Sequence, residues 1–304
     1  MVRHYLKTLP SALSFVTLIG TLASVGCLRG QLPVGSQLEI DKGTYITYWS
    51  QNKAKPVIEI LGCTATIVSA NTIITAAHCV GAVTDSRFEG QTVYYQACID
   101  TKEYKSQCTN KIHVPNEFII RGKNGVDTGK RNFKYDVAVL VFEATPFKSF
   151  FKLRERSAEK GMEIIMVGYS EKEMTEKKSS SKRWGINTVA QVDAEENTIG
   201  SQLSSGVAIS PGDSGGPLLH DCQLVGVASR MLVAKDPKTS LHTNVLVPTL
   251  RKFLLETTEK GANICGLMAK DEKSCPANQE YRTSEKVKPG EFPCKSESKE
   301  GIFY

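Results

Sequence analysis

The sequence lacks the features that mark metal, nucleic-acid and fibrous proteins. Its five histidines and nine cysteines include no Cys-x-x-Cys pair and no His-rich spacing, so neither a metal site nor a cofactor is read from it. The formal charge is only +6 over 304 residues, with both signs mixed along the chain, which argues against a nucleic-acid partner. Collagen-like and heptad patterns are absent too. With 40% hydrophobic residues the chain is long and apolar enough to bury one large core or two moderate ones.

The apolar run Leu9 to Val25 is broken repeatedly by Ser and Thr and is short for a permanent membrane span. It follows Arg3, His4 and Lys7, so residues 1–26 read as an export signal. Ala23-Ser24-Val25-Gly26-Cys27 then puts small residues directly before a cysteine. This resembles the lipobox of bacterial lipoproteins, with Ser24 where that family usually has Leu. The resemblance implies lipidation of Cys27 and a membrane tether, at the outer membrane or in the periplasm. A plain signal cleaved nearby, giving a secreted protein, is the other reading. Parity sides with the lipid: nine cysteines are odd, and removing Cys27 leaves enough for four disulfides.

Residues 27–56 are polar and turn-rich and read as a tether. Short β-branched runs then recur at Val57–Leu61, Ala65–Val68, Thr72–Ala76, Thr92–Ile99 and Asp136–Phe142, separated by turn residues. A second series covers Glu163–Val167, Gly185–Val192, Pro217–Leu219, Leu224–Ser229 and Leu241–Val245. Arg121–Lys130 reads as a loop, and Glu171–Lys182 as a solvated, mobile one. The pattern predicts an all-β barrel or sandwich. One helix is predicted from Val247 to about Glu259, with Pro248 in its first turn and Gly261 after its end. Residues 265–304 turn to Lys, Glu, Ser and Pro and read as a tail held by its cysteines.

The most informative stretch is Ser210-Pro211-Gly212-Asp213-Ser214-Gly215-Gly216-Pro217. Glycines allow a sharp turn there and leave backbone amides facing outward, which suits a nucleophilic serine beside an oxyanion site. Gly-Asp-Ser-Gly-Gly-Pro would arise by chance in such a chain with odds on the order of 10⁻⁵. Thr72-Ile73-Ile74-Thr75-Ala76-Ala77-His78-Cys79 supplies a strand ending in a histidine, and Tyr135-Asp136-Val137-Ala138-Val139-Leu140 an acid at the mouth of an apolar strand.

In the order His, Asp, Ser, these stretches resemble the chymotrypsin/trypsin-like serine proteases, over about Val57 to Glu259. The resemblance implies two six-stranded antiparallel β-barrels, about 57–150 and 161–260, within a protease domain of 57–264 and with a C-terminal helix. It assigns His78 as general base, Asp136 as its orienting acid, Ser214 as nucleophile, and the amides of Gly212 and Ser214 as the oxyanion hole. It also places Ala208, Ser229 and Met231 at the substrate cleft and implies a Cys63–Cys79 disulfide. Cys98–Cys108, Cys222–Cys265 and Cys275–Cys294 complete the expected set. The activity implied is hydrolysis of protein or peptide substrates without a cofactor.

The departures shape the rest. Ser210 stands where the family usually has a cysteine, and Ala208 where trypsins carry an aspartate, so a preference for Lys or Arg is not supported. Met231 replaces a pocket glycine. His242 falls near the pocket wall; it reads as structural, with recognition of an acidic side chain as the alternative. No Ile-Val-Gly-Gly terminus precedes Val57 to pair with Asp213, so another donor to Asp213 is expected, or an unmarked cleavage. A lipid-tethered binding protein that keeps the triad over a blocked cleft is the competing function.

Overall fold

The computed structural model describes residues 44–45, 56–85, 91–94, 96–99, 104, 107–123, 125, 127–170, 181–202, 207–232, 239–267, 275, 279–281 and 292–296. The export signal, Cys27 and nearly all of the predicted tether lie outside these residues, as do 171–180 of the predicted mobile loop. Among the described residues no helix is long and apolar enough to cross a membrane.

The first half is built on a five-stranded antiparallel sheet in the order Val57–Ile60, Cys63–Ile67, Thr72–Thr75, Ala138–Val141, Lys111–His113. Three two-stranded ribbons accompany it: Ala82–Asp85 with Gln91–Tyr94, Ala97–Ile99 with Gln107–Thr109, and Ile119–Arg121 with Asp127–Arg131. The last ribbon corrects the loop expected at Arg121–Lys130. The predicted run Thr92–Ile99 is two strands rather than one.

The second half is a closed barrel of six antiparallel strands. Glu163–Ser170 pairs with Ser181–Asp193 on one side and Pro217–His220 on the other. Pairing continues through Gln223–Leu232, Thr239–Asn244 and Thr198–Gln202, which returns to Ser181–Asp193. The fold is mostly β with one C-terminal helix, Pro248–Thr258, as expected. That helix starts with Pro248 after an extended Val247 and buries Leu250, Leu254 and Thr257 on one face.

Two core clusters explain why several strands read as unbroken apolar runs. Ile73, Ala138 and Leu140 lie in the first-half cluster with Ile58 and Ile67. Their neighbours Ile74, Val137 and Val139 face the other way, into the cluster of the second barrel with Val167, Leu218 and Val227. Successive side chains alternate faces, so a strand lying between two cores is buried on both. The ends of these strands therefore open where the two halves meet.

The structure has disulfides Cys63–Cys79, Cys98–Cys108, Cys222–Cys294 and Cys265–Cys275. The expected Cys222–Cys265 and Cys275–Cys294 are thus corrected. Cys265 is held in the first-half cluster, its N–H donating to Val68 and its carbonyl accepting from Leu153. Cys222 sits at the turn between two strands of the other barrel and in its core. Phe292, packed edge-on against Trp184 at 5.8 Å, brings Cys294 to Cys222.

Candidate active site

The strand pairing that builds the first sheet also assembles half of the site. Thr75 and Ala138 are register partners in adjacent antiparallel strands. His78 follows Thr75 by one short 3-10 turn, Ala77–Cys79, and Asp136 precedes Ala138 after another, Phe133–Tyr135. Both turns leave from the same end of the strand pair and converge. The Cys63–Cys79 bond ties the His78 turn to the neighbouring strand. The Asn132 side chain caps the other turn by accepting from the Lys134 N–H at 3.3 Å.

Asp136 is wholly buried, and both carboxylate oxygens are engaged. Oδ1 accepts the backbone N–H of His78 at 3.0 Å. Oδ2 accepts from His78 Nδ1 at 2.8 Å and from the Ser229 hydroxyl at 2.6 Å. A carboxylate can only accept, so the proton of a neutral His78 belongs on Nδ1 and the lone pair on Nε2. The imidazole is 28% exposed and so reaches solvent with its remaining edge.

The other half is the turn after Val207. Its shape is set by close approaches that only glycine allows. A Cβ on Gly215, whose φ is +84°, would collide with Thr75 Oγ1 and the Thr64 carbonyl. One on Gly216 would strike the Val167 carbonyl. Thr64 then fastens the loop: its N–H donates to the Ser214 carbonyl at 2.8 Å and its hydroxyl to the Gly212 carbonyl at 2.7 Å. The same hydroxyl accepts the Tyr169 N–H at 2.9 Å.

The amides of the turn divide into two sets. Asp213 N–H donates to Ser210 O, Gly215 N–H to Ala228 O and Gly216 N–H to Asp213 O. Among the described residues the N–H groups of Gly212 and Ser214 have no acceptor. Two bare amides flanking one residue are donors of the kind that anion sites use. The Ser214 hydroxyl makes no hydrogen bond to His78 among the described residues; such contacts are often long in unliganded sites.

Asp213 is buried, and its Oδ2 accepts the Ser210 N–H at 2.8 Å and the Ser210 hydroxyl at 3.3 Å. Ser210, noticed in the sequence only as a missing cysteine, is therefore a donor to that acid. Gly168 faces the same carboxylate so closely that a Cβ would overlap it. Thr64 and Gly168 carried no sequence signal, because each acts through a partner far along the chain.

Ala208 and Met231 are not part of the hydrogen-bonded set. Ala208 is buried in a segment whose backbone is held by Asn187 and Ser240, and Met231 packs partly buried against the second-barrel core. His242 is fully buried in its strand with Nε2 3.4 Å from the Ser201 hydroxyl. Burial pushes its imidazole down to about 3, so it is neutral and structural rather than a cationic pocket wall. Among the described residues the one grouping of metal-ligand types is Cys63, His78 and Cys79, and its two sulfurs are bonded to each other.

A family model described as Trypsin matches residues 49–250. The chain belongs to the trypsin family. No curated protein matches it by sequence. Among solved structures it resembles neuropsin, a serine protease expressed in the limbic system of mouse brain, at 14% identity and TM-score 0.53, over 73% of this chain and 99% of that one. A mutant of human heparin binding protein matches at 16% identity and TM-score 0.53, over 73% and 98%. A Glu endopeptidase matches at 19% identity and TM-score 0.53, over 73% and 99%. At these identities the structures establish the fold, which is chymotrypsin-like; trypsin-family membership makes the chain a serine peptidase at family level, and such domains act on protein or peptide substrates.

Proposed function

We propose that the chain is an exported serine endopeptidase working through an acyl-enzyme. Ser214 Oγ attacks the peptide carbonyl while its proton passes to His78 Nε2. The Gly212 and Ser214 amides receive the resulting oxyanion. His78 then gives the proton to the leaving amine, and water repeats the sequence to release the acid and restore Ser214. Asp136 holds the imidazole in the required tautomer and stabilises its charged form. The observation that carries this reading is the double acceptance at Asp136 Oδ2, from His78 at 2.8 Å and Ser229 at 2.6 Å. It supports a base held beside a loop whose Gly212 and Ser214 amides have no acceptor among the described residues.

The protease domain of this reading is 57–264, with 265–304 as a stapled tail. Because Ser210 already donates twice to Asp213, the turn has internal support in place of a newly cleaved terminus. The disulfide-rich fold suits an oxidising, extracytoplasmic compartment. Lipidation of Cys27 would add a membrane tether there, and an intact mass carrying diacylglycerol on that residue tests it.

A fluorophosphonate probe tests the chemistry. Labelling of the wild-type protein that is lost in Ser214→Ala is expected. A folded, unlabelled wild type would instead support a tethered binding protein, the reading motivated by Met231 in place of a pocket glycine.

A further inference from the structure

The polar set around Asp136 accounts for Ser229 but leaves its neighbour Arg230 unexplained. The Arg230 guanidinium carbon lies 5.0 Å from the centroid of the Phe133 ring. That ring stands 6.1 Å from the His78 imidazole, tilted by 55°. A strong cation is thus held one aromatic ring away from the candidate base.

A second arginine nearby provides the contrast. Arg131 lies over Phe118 at 6.0 Å, and Phe118 meets Phe133 edge-on at 6.2 Å. Arg131 is neutralised by Asp127 at 2.8 Å. Arg230 has no carboxylate partner among the described residues, and its Nη1 is buried without a hydrogen bond. Asp136, next to Ser229, is already committed to that hydroxyl and to His78, and Glu196 is paired with Lys134 at 2.7 Å. A guanidinium keeps its charge at any working pH and presents a planar fork of donors. Leaving such a donor buried and unmade is costly, and a ring face satisfies only its charge.

We infer that Arg230 is a specificity-determining residue that receives the carboxylate of a substrate Asp or Glu side chain seated against Phe133, beside the scissile bond. The ring face would carry the methylene groups of that side chain, and the guanidinium nitrogens other than the buried Nη1 its oxygens. The inference rests on the peptidase reading above and names a substrate class for it: peptides acidic near the cut.

The test uses the full chain and matched peptides with Glu or Gln scanned through the positions flanking the cleaved bond. One position is expected to favour Glu by about tenfold or more in kcat/KM, a gap that narrows as salt is raised. Arg230→Gln should bring the ratio to about one, Arg230→Lys should keep part of it, and Arg230→Glu should reverse it in favour of Lys peptides. Binding of the same peptides to Ser214→Ala gives a readout independent of turnover. No Glu preference at any position, or one that survives Arg230→Gln, overturns the inference. A Glu preference in binding that Arg230→Gln removes, with no labelling or turnover by the wild type, would uphold the role of Arg230 and overturn the peptidase reading.

Discussion

Asp136 shows how much one buried side chain can organise. A carboxylate removed from water needs compensating donors, and this one receives the His78 main chain, the His78 ring and the Ser229 hydroxyl. His242 is a buried titratable residue that is held neutral instead. Its folded value of about 3 lies below the ordinary 6.5, so the unfolded chain takes up a proton that the folded chain refuses. Its contribution is complete above pH 6.5 and is lost as pH falls toward 3. Denaturant unfolding is therefore expected to show a loss of roughly 3 kcal/mol from this residue alone between pH 7 and 4.5. Burial and the charge of Lys260 lower His113 in the same direction. In His242→Gln the pH slope should be shallower over that window; equal slopes in the two proteins would count against the assignment.

At the scale of elements, the Cys222–Cys294 bond does the work that a hydrophobic core does elsewhere. It spans 72 residues and anchors the tail at Phe292 on Trp184. Replacing both cysteines with serine should cost about 4 kcal/mol, against about 3 for Cys265 and Cys275, which are 10 apart. Release of Phe292 should also expose Trp184, seen as a red shift in its emission; an unshifted spectrum would mean the tail docks without the bond. This pairing is the part of the fold the sequence concealed. Connectivity among cysteines depends on which core each one enters, and spacing alone does not encode that.

The strands around the site were far more legible, because Thr72–Thr75 is β-branched throughout and Ala138–Val141 is apolar throughout, with chemistry-bearing residues just beyond them. Thr198–Gln202 was missed: its Thr, Gly, Ser and Gln give no hydrophobic alternation, and pairing on both edges makes it a strand. Ile119–Arg121 and Asp127–Arg131 hid behind lysines and glycines that suit a ribbon's exposed face as well as a loop. The Gly-rich turn could be read as a turn, but not the reason for each glycine, since Gly215 and Gly216 answer to Thr64, Thr75 and Val167, more than forty residues away.

Over the whole molecule, the candidate site draws its residues from both halves. His78 and Asp136 come from the first, and Ser214 and Ser229 from the second. Thr64 joins them through its N–H and its hydroxyl, bonded to Ser214, Gly212 and Tyr169. Thr64→Val keeps the shape and removes the hydroxyl. It should lower stability by roughly 2 kcal/mol. Fluorophosphonate labelling of Ser214 should slow by about tenfold or more as the loop loses its position. Labelling at the wild-type rate would show that the loop is positioned by other contacts.

Every one of those three Thr64 bonds ends on a main-chain atom, not on a side chain. The placement of the Ser214 turn against the first half is thereby insulated from the identity of the side chains around it. Side chains at Ser210, Ala208, Arg230 and Met231 could therefore change while the proposed reacting groups keep their spacing. On the proposed peptidase reading, substrate choice and chemical competence would be separable traits, open to being altered one at a time.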